Sequence, residues 1–551
     1  MGDERVAVVG GGIAGLAAAL RLRERLGPGA TITVFEQGAA LGGKLRTGEL
    51  AGAPQELGAE TFLAGDPAGG ESAAMSLARR VGLGGRLVHP GTTQAALVIG
   101  GSLTDIPAGT LMGVPDDPAR VASVARVTAG RDADSGRPLL GDDEDVAIGA
   151  LTRLRFGDEV VDRLVDPLLG GVYAGRADEL SLEMTVPALA RTARTEPTLA
   201  RAVTAAKAAS ARARAAQASA GSAQSSGPIG GGQAESGPGP HGQNGAGAGT
   251  GGGAGAGAGA GTGGGAGTGA GGGAGAGGGG REQGGPGARA AGAPPVFATI
   301  DGGLSRLVEA VAAAAGAEVR LGLPVRALER AGDHGWILTV GAANAADAGE
   351  RLRFDAVVLA LPAKPAARLL KEVEPGVAQV IGGLDYASLA LVNLALPAAE
   401  LPGLSGLLVP PVEGLLIKAA TFFGVKWPHL RRADGVVHVR ASIGRYREEH
   451  LLHRDDVELA GAAHAELSAL LGTPLPRPVD TIVQRWGGAL PQYTPGHRQR
   501  IASARELLRA SHPTLVLAGA GFDGVGIPLC VRSGETAGDE VADEVRRRRQ
   551  V

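Results

Sequence analysis

The first 36 residues constrain this chain more than any other stretch. Arg5–Val9 is a short apolar run that predicts a buried strand. Ile13–Leu26 is alanine-rich and predicts a helix, stopped by Gly27-Pro28-Gly29. Thr31–Phe35 is β-branched and predicts a second strand. Between the first strand and the helix stands Gly10-Gly11-Gly12-Ile13-Ala14-Gly15, a G-x-G-x-x-G pattern. Alone the pattern says little in a chain with 95 glycines among 551 residues. Its place between strand and helix, with Glu36 closing the second strand, makes it informative. Gly10 permits the tight turn, Gly12 lets backbone approach a pyrophosphate, and Gly15 lets helix pack on strand. The helix N-terminus presents free N–H groups and a partial positive charge. Glu36 suits a ribose diol and repels a 2′-phosphate. The unit predicts an α/β fold that holds a dinucleotide, with NADP disfavoured.

Several classes are excluded. Cys530 is the single cysteine, so no disulfide framework, CxxC zinc site or iron–sulfur cluster can form. A net charge of −3 argues against sequence-independent nucleic-acid binding. Val6–Leu20 is apolar, but it is too short to span a bilayer and is broken by glycines. No signal peptide or membrane span is expected. The expectation is a cytoplasmic protein, with peripheral membrane contact left open.

Composition divides the chain. Ala218–Pro294, 77 residues, carries 35 of the glycines, and Gly245–Gly280 holds only Gly, Ala and Thr. Such a stretch buries too little surface to offset its ordering entropy. It predicts a long disordered Gly/Ala-rich insert at 218–294. Arg120–Gln217 reads as mostly helical. Val296–Ile300, Glu318–Glu329, Phe354–Leu361 and Thr514–Leu517 read as strands. A helix is expected from Asp301-Gly302-Gly303-Leu304 through Ala314, and another from about Val531.

Leu41-Gly42-Gly43-Lys44-Leu45-Arg46-Thr47 follows Glu36 closely and resembles the G-G-x-x-R-T element of the amine-oxidase-like flavoprotein superfamily. Glu56–Phe62 resembles that superfamily's loop beside the isoalloxazine ring. Gly519–Pro528 resembles its late glycine turn, whose helix N-terminus stabilises charge on a reduced flavin. The resemblance implies FAD rather than NAD.

Three further strings narrow it. Pro167-Leu168-Leu169-Gly170-Gly171-Val172-Tyr173-Ala174-Gly175, Ile417-Lys418-Ala419 with Lys426-Trp427-Pro428-His429, and Arg485-Trp486 with Pro491-Gln492-Tyr493 and Gly496-His497 occur in order. They resemble the protoporphyrinogen/coproporphyrinogen oxidase family, and its bacterial coproporphyrinogen III members most. That resemblance implies a Rossmann-like FAD-binding domain of discontinuous segments (1–90, 296–365 and 498–551). It implies a mainly helical domain (91–217) and an α+β substrate-binding domain (366–497). It implies O2-dependent oxidation of coproporphyrinogen III to coproporphyrin III with H2O2 release, in haem biosynthesis. Protoporphyrinogen IX oxidase and, more remotely, a flavin amine oxidase or desaturase are the alternatives.

Carried over by motif, the resemblance assigns FAD to Gly10, Gly11, Gly12, Ile13, Ala14, Gly15, Glu36, Gln37, Gly43, Lys44 and Arg46. It adds Gly58, Ala59, Glu60, Thr61, Val325, Trp486, Gly524, Val525 and Gly526. No catalytic residue and no metal ligand is assigned, because hydride loss from the macrocycle needs no strong base. Asp166, Tyr173, Lys418 and Trp427 lie in the family strings without a defined role. A substrate with four propionates calls for cations, and Arg153, Arg155, Arg163, Arg176, Lys418 and Lys426 are available. His450 and His453 read as a solvated helix face, Cys530 as a small packed residue, and Arg546–Arg549 as a frayed terminus.

Overall fold

Both faces of Arg5–Val9 (β1) are covered, which explains its unbroken apolar sequence. Val6 and Val8 join one core cluster and Ala7 and Val9 another. The computed structural model describes residues 4–67, 69–224, 295–332, 335–341 and 349–550. The predicted insert lies outside the described residues beyond Gln224, where a helix beginning at Leu199 ends. Residues 1–219 and 294–551 pack as one compact unit.

β1 is the centre of a five-stranded parallel sheet. The order is Glu318–Leu321, Thr31–Glu36 (β2), β1, Ala356–Leu359 and Leu515–Leu517. Segments more than 300 residues apart in sequence therefore hydrogen-bond side by side. The helix Ile13–Leu26 (α1) lies on one face with Ser305–Ala315 and the C-terminal helix Ile527–Gln550. Ala363–Leu370, Pro375–Gly382 and His497–Ser511 cover the other face.

Some elements differ from expectation. Glu318–Glu329 is two strands. Glu318–Leu321 pairs with β2, Gly322 turns the chain at φ 68°, and Val325–Arg330 enters a separate three-stranded antiparallel sheet. Phe354–Leu361 is split likewise. Phe354 ends a strand of that small sheet, and Ala356 begins one of the parallel sheet. At the break the Asp355 carboxylate accepts from the Arg5 N–H at 2.8 Å. The C-terminal helix starts at Ile527, four residues before Val531.

A second sheet has seven strands. Its order is Asp480–Pro491, Tyr386–Pro397, Val436–Ile443, Ile417–Phe422, Gly406–Leu408, Ala95–Ile99 and Ser102–Asp105. The segment 91–217 thus lends two strands to the sheet of 366–497. Its α-helices begin only at Ile148, after a short 3-10 helix at Pro118–Val121. The helix Asp456–Leu471 covers one face of this sheet. The helices between Ile148 and Ala193 pack around Leu97 on the other. No helix among the described residues is long and apolar enough to cross a membrane.

The arginine-rich end is not frayed. Arg549 reaches Glu4 at 2.7 Å, Arg548 reaches Glu544 at 2.8 Å, and Arg546 donates to the Arg25 carbonyl. The helix is held down because α1 accepts it at backbone distance. A Cβ at Gly534 would stand 2.0 Å from the Ala14 carbonyl oxygen, and one at Gly538 3.0 Å from that of Ala18. Only glycine permits this crossing. Gly534→Ala is expected to destabilise the chain by about 1–3 kcal/mol through overpacking against rigid backbone. Gly461→Ala, on an exposed helix position with nothing within 4 Å, is expected to stabilise it by about 1 kcal/mol. Thermal denaturation of the two variants checks the contrast.

Candidate functional site

Three glycine loops stack on one another through their backbones. The Gly42 N–H donates to the Gly11 carbonyl at 2.8 Å, and the Ala59 N–H to the Lys44 carbonyl at 3.0 Å. Each contact requires glycine nearby. Gly10 has φ 111°, and a Cβ there would lie 2.4 Å from the Ala360 carbonyl oxygen. A Cβ at Gly15 would meet the Gly10 carbonyl oxygen at 1.9 Å, and one at Gly58 the Lys44 carbonyl oxygen at 2.0 Å. Gly12 is different: a Cβ there meets nothing within 4 Å. It is the N-cap of α1 and supplies no side-chain cap. Free backbone donors therefore open on unfilled space, the arrangement a pyrophosphate needs.

Glu36 stands at one end of this strip. Its two carboxylate oxygens accept from the Gly11 N–H at 2.9 Å and the Gly38 N–H at 2.7 Å. Gln37 is exposed beside it. The Gly322 N–H donates to the Gly38 carbonyl and that of Leu323 to the Glu36 carbonyl, at 2.9 and 3.2 Å. These bonds bring the half-buried Val325 segment to the same end. Lys44 is partly buried, and its amine is pulled below the usual lysine range by that burial. It comes close enough to Cys530 for the two groups to perturb each other. Cys530 is packed, as expected, with its thiol pushed up to about 11 by burial. Its N–H donates to the Gly526 carbonyl at 2.9 Å. Gly524, Val525 and Gly526 thus reach the strip through Lys44 and Cys530. Arg46 is exposed; the structure uses its carbonyl, which accepts from the Leu57 N–H at 2.8 Å.

The Gly58–Thr61 segment is fixed at every residue. The Trp486 indole N–H donates to the Leu57 carbonyl at 2.7 Å. The Thr61 hydroxyl donates to the Ala298 carbonyl at 3.0 Å. Arg440 donates to the Gly58 carbonyl at 3.0 Å and also to the Glu60 carboxylate, which Lys426 grips from the other oxygen. Glu60 is buried, and burial alone would raise its pKa. The two cations outweigh that and hold it below the usual carboxylate range. The clamp leaves one positive charge in excess beneath the strip. The sequence reading missed Arg440, and Lys426, expected as a free cation for substrate, is committed to Glu60.

Of the other expected cations, Arg153 pairs with Asp158, Asp162 and Asp178 at 2.7–3.0 Å. Arg155 lies 4.0 Å from Asp132, Arg163 3.5 Å from Glu159, and Arg176 3.5 Å from Glu448. Lys418 alone of the six has no carboxylate within 4.0 Å among the described residues. Tyr173 is buried, edge-on to Tyr493 at 6.1 Å, with its hydroxyl pushed up to about 12 by burial. Trp427 is buried under Lys426. Asp166 accepts from the Ala177 N–H at 2.7 Å and serves the backbone. His450 and His453 sit on a short 3-10 turn, and no metal-holding group of side chains occurs among the described residues.

Arg440→Met should cost about 3 kcal/mol of stability by leaving Glu60 with one partner. It should also release the Gly58 carbonyl and weaken flavin retention, which flavin fluorescence measures directly. Glu56 gives a separate test. Burial pushes its carboxyl up to about 7, against opposing hydrogen bonds from the Leu304 N–H and the Thr47 hydroxyl. The folded chain then binds a proton more tightly than the unfolded one. That stabilisation is complete below the unfolded value of 4.5 and lost as pH rises to about 7. Glu56→Gln should flatten the pH dependence of stability across this window by roughly 3 kcal/mol, as read by denaturant titrations.

Comparison with known proteins gives the family. The flavin containing amine oxidoreductase family matches residues 13–542. The coproporphyrinogen III oxidase of Propionibacterium freudenreichii subsp. freudenreichii is 34% identical, over 97% of this chain and 90% of that protein. The one from Mycobacterium leprae is 31% identical over 98% of both. A crystal structure from Exiguobacterium sp. 255-15 superposes with a TM-score of 0.71 at 26% identity, covering 99% of this chain and 100% of that one.

Proposed function

We propose that this chain, which belongs to the flavin containing amine oxidoreductase family, is an FAD-dependent oxidase that converts coproporphyrinogen III to coproporphyrin III. The observation that carries the substrate is the similarity to coproporphyrinogen III oxidases across nearly the whole length. The open donors at Gly12, the Glu36 carboxylate and the clamped Gly58–Thr61 strip support the cofactor.

The residues fit FAD from end to end. Glu36 and the Val325 segment would hold the adenosine half, the α1 N-terminus and Lys44 the pyrophosphate, and Gly58–Thr61 with Gly524–Gly526 the flavin half. When bound, FAD accepts electron pairs from the substrate and passes them to O2. The balanced reaction takes six electrons and six protons from one porphyrinogen, and three O2 become three H2O2. The chain's part is to hold and orient. The excess positive charge of the Glu60 clamp favours electron density arriving above it. No side chain of the strip is placed as a general base, and the chemistry asks for none.

In this reading 1–90, 296–365 and 498–551 carry the cofactor, and 366–497 with strands 95–105 carry the substrate. The test is to supply purified, flavin-loaded protein with coproporphyrinogen III or protoporphyrinogen IX under air and follow porphyrin fluorescence. Faster coproporphyrin formation is expected, with three H2O2 per porphyrin. A preference for protoporphyrinogen corrects the substrate, and no porphyrin from either discards the function.

A further inference from the structure

The seven-stranded sheet carries the Glu60 clamp on one face, and that face continues past it. In one cross-strand row Thr421 lies opposite Arg440, and in the next Ala419 lies opposite Ser442. The rows are two residues apart, about 7 Å along the strand. The intervening Ala420 and Ala441 point the other way, into the core under the helix Asp456–Leu471. Thr421, Ala419 and Ser442 are small and only half-buried. They make a low strip leading away from Arg440.

At the end of that strip the pairing slips. Ile417 opposes Ile443 while Ala419 opposes Ser442, so Lys418 is the extra residue of a β-bulge. Bulges re-aim a side chain. Here the Lys418 amine turns toward the helix Asp166–Tyr173 and meets the Gly170 carbonyl at 3.5 Å. It is only 4% exposed. Arg445, also buried, is its neighbour: Arg445 donates to the Val409 carbonyl at 3.0 Å, and the Val409 N–H donates to the Lys418 carbonyl at 2.9 Å. Glu448 is divided between Arg445 at 3.7 Å and Arg176 at 3.5 Å. Asp166 lies near the same cluster, where burial pushes its carboxyl up against the opposing Ala177 N–H and arginines. Three basic side chains, Lys418, Arg445 and Arg176, therefore stand near two carboxylates: Glu448, shared between the arginines, and Asp166, which accepts from the Ala177 N–H. Burial first, then Arg445, draws the Lys418 amine down to about 7. A buried cation pair short of anions is costly unless an anion joins it.

We propose that Lys418 and Arg445 form a carboxylate-binding site that takes one propionate of the tetrapyrrole, at the end of the strip away from the Glu60 clamp. The site deepens the porphyrinogen reading above and rests on it. It gives the tetra-acid an anchor that a substrate with fewer acids uses less fully. Lys418 is a specificity determinant, and it touches no reacting atom.

The test uses the full-length, flavin-loaded protein and two porphyrins in one neutral-detergent buffer: coproporphyrin III and its tetramethyl ester. Binding is read from porphyrin fluorescence, alongside flavin absorbance and the thermal midpoint. Lys418→Met is expected to weaken the acid about 10-fold or more and leave the ester unchanged. Flavin content should hold, and the midpoint should not fall, because an unfavourable buried charge has been removed. Lys418→Arg should recover most of the acid affinity. Equal losses for acid and ester, no loss for either, or a lowered midpoint with loss of flavin would overturn the site. A wild-type protein that binds neither porphyrin and makes none would overturn the porphyrinogen reading itself.

Discussion

Everything at the site hangs on how a buried Glu60 is held. Its carboxylate joins a loop from the first 60 residues to Arg440 on the seven-stranded sheet and to Lys426 on the short helix that follows one of that sheet's strands. One arginine also ties the Gly58 carbonyl, so charge and backbone are located together. Burying a lone carboxylate there would be prohibitive, and burying two cations without it would be worse. The three groups stabilise one another only when the nucleotide-fold sheet and the seven-stranded sheet meet in one geometry. Folding of the two parts and formation of the cofactor strip are thereby coupled.

The local frame was legible because it is written in short-range terms. β1, α1 and the strand of β2 follow from apolar runs and turn residues, and Gly10, Gly12 and Gly15 from the spacing of the turn. What was not legible depends on distance. The break at Gly322-Leu323-Pro324 carries a glycine and a proline, a local signal that a single-strand reading passes over; which sheet each half joins depends on distant partners. Ala95–Ile99 forms a hairpin with Ser102–Asp105 through Gly100-Gly101, but its place beside Gly406–Leu408 is set by distant sequence. Arg440 sits in a plain β-strand with no motif about it. Only its position opposite Thr421, facing Glu60, gives it a role. The arginine tail looked loose because its carboxylate partners, Glu4 and Glu544, lie on other turns or at the far end of the chain.

The two ends of this face of the seven-stranded sheet are unlike. Near Glu60 both cations are paired with one buried carboxylate. Near Lys418 the arginines Arg445 and Arg176 share Glu448, and Lys418 has no carboxylate within 4.0 Å among the described residues. Small residues lie between, so a flat macrocycle could rest on the sheet without displacing side chains. A protein with so few aromatic residues, 3% of the chain, gains orientation from charges at the edges more than from stacking on rings.

The most direct measurement is the flavin content of the purified chain. The protein is unfolded, the released cofactor is identified and counted by its absorbance, and the emptied, refolded chain is offered FAD again. The account predicts close to one FAD per chain, lost on unfolding and regained on refolding. A folded chain that carries none and takes up none would contradict it.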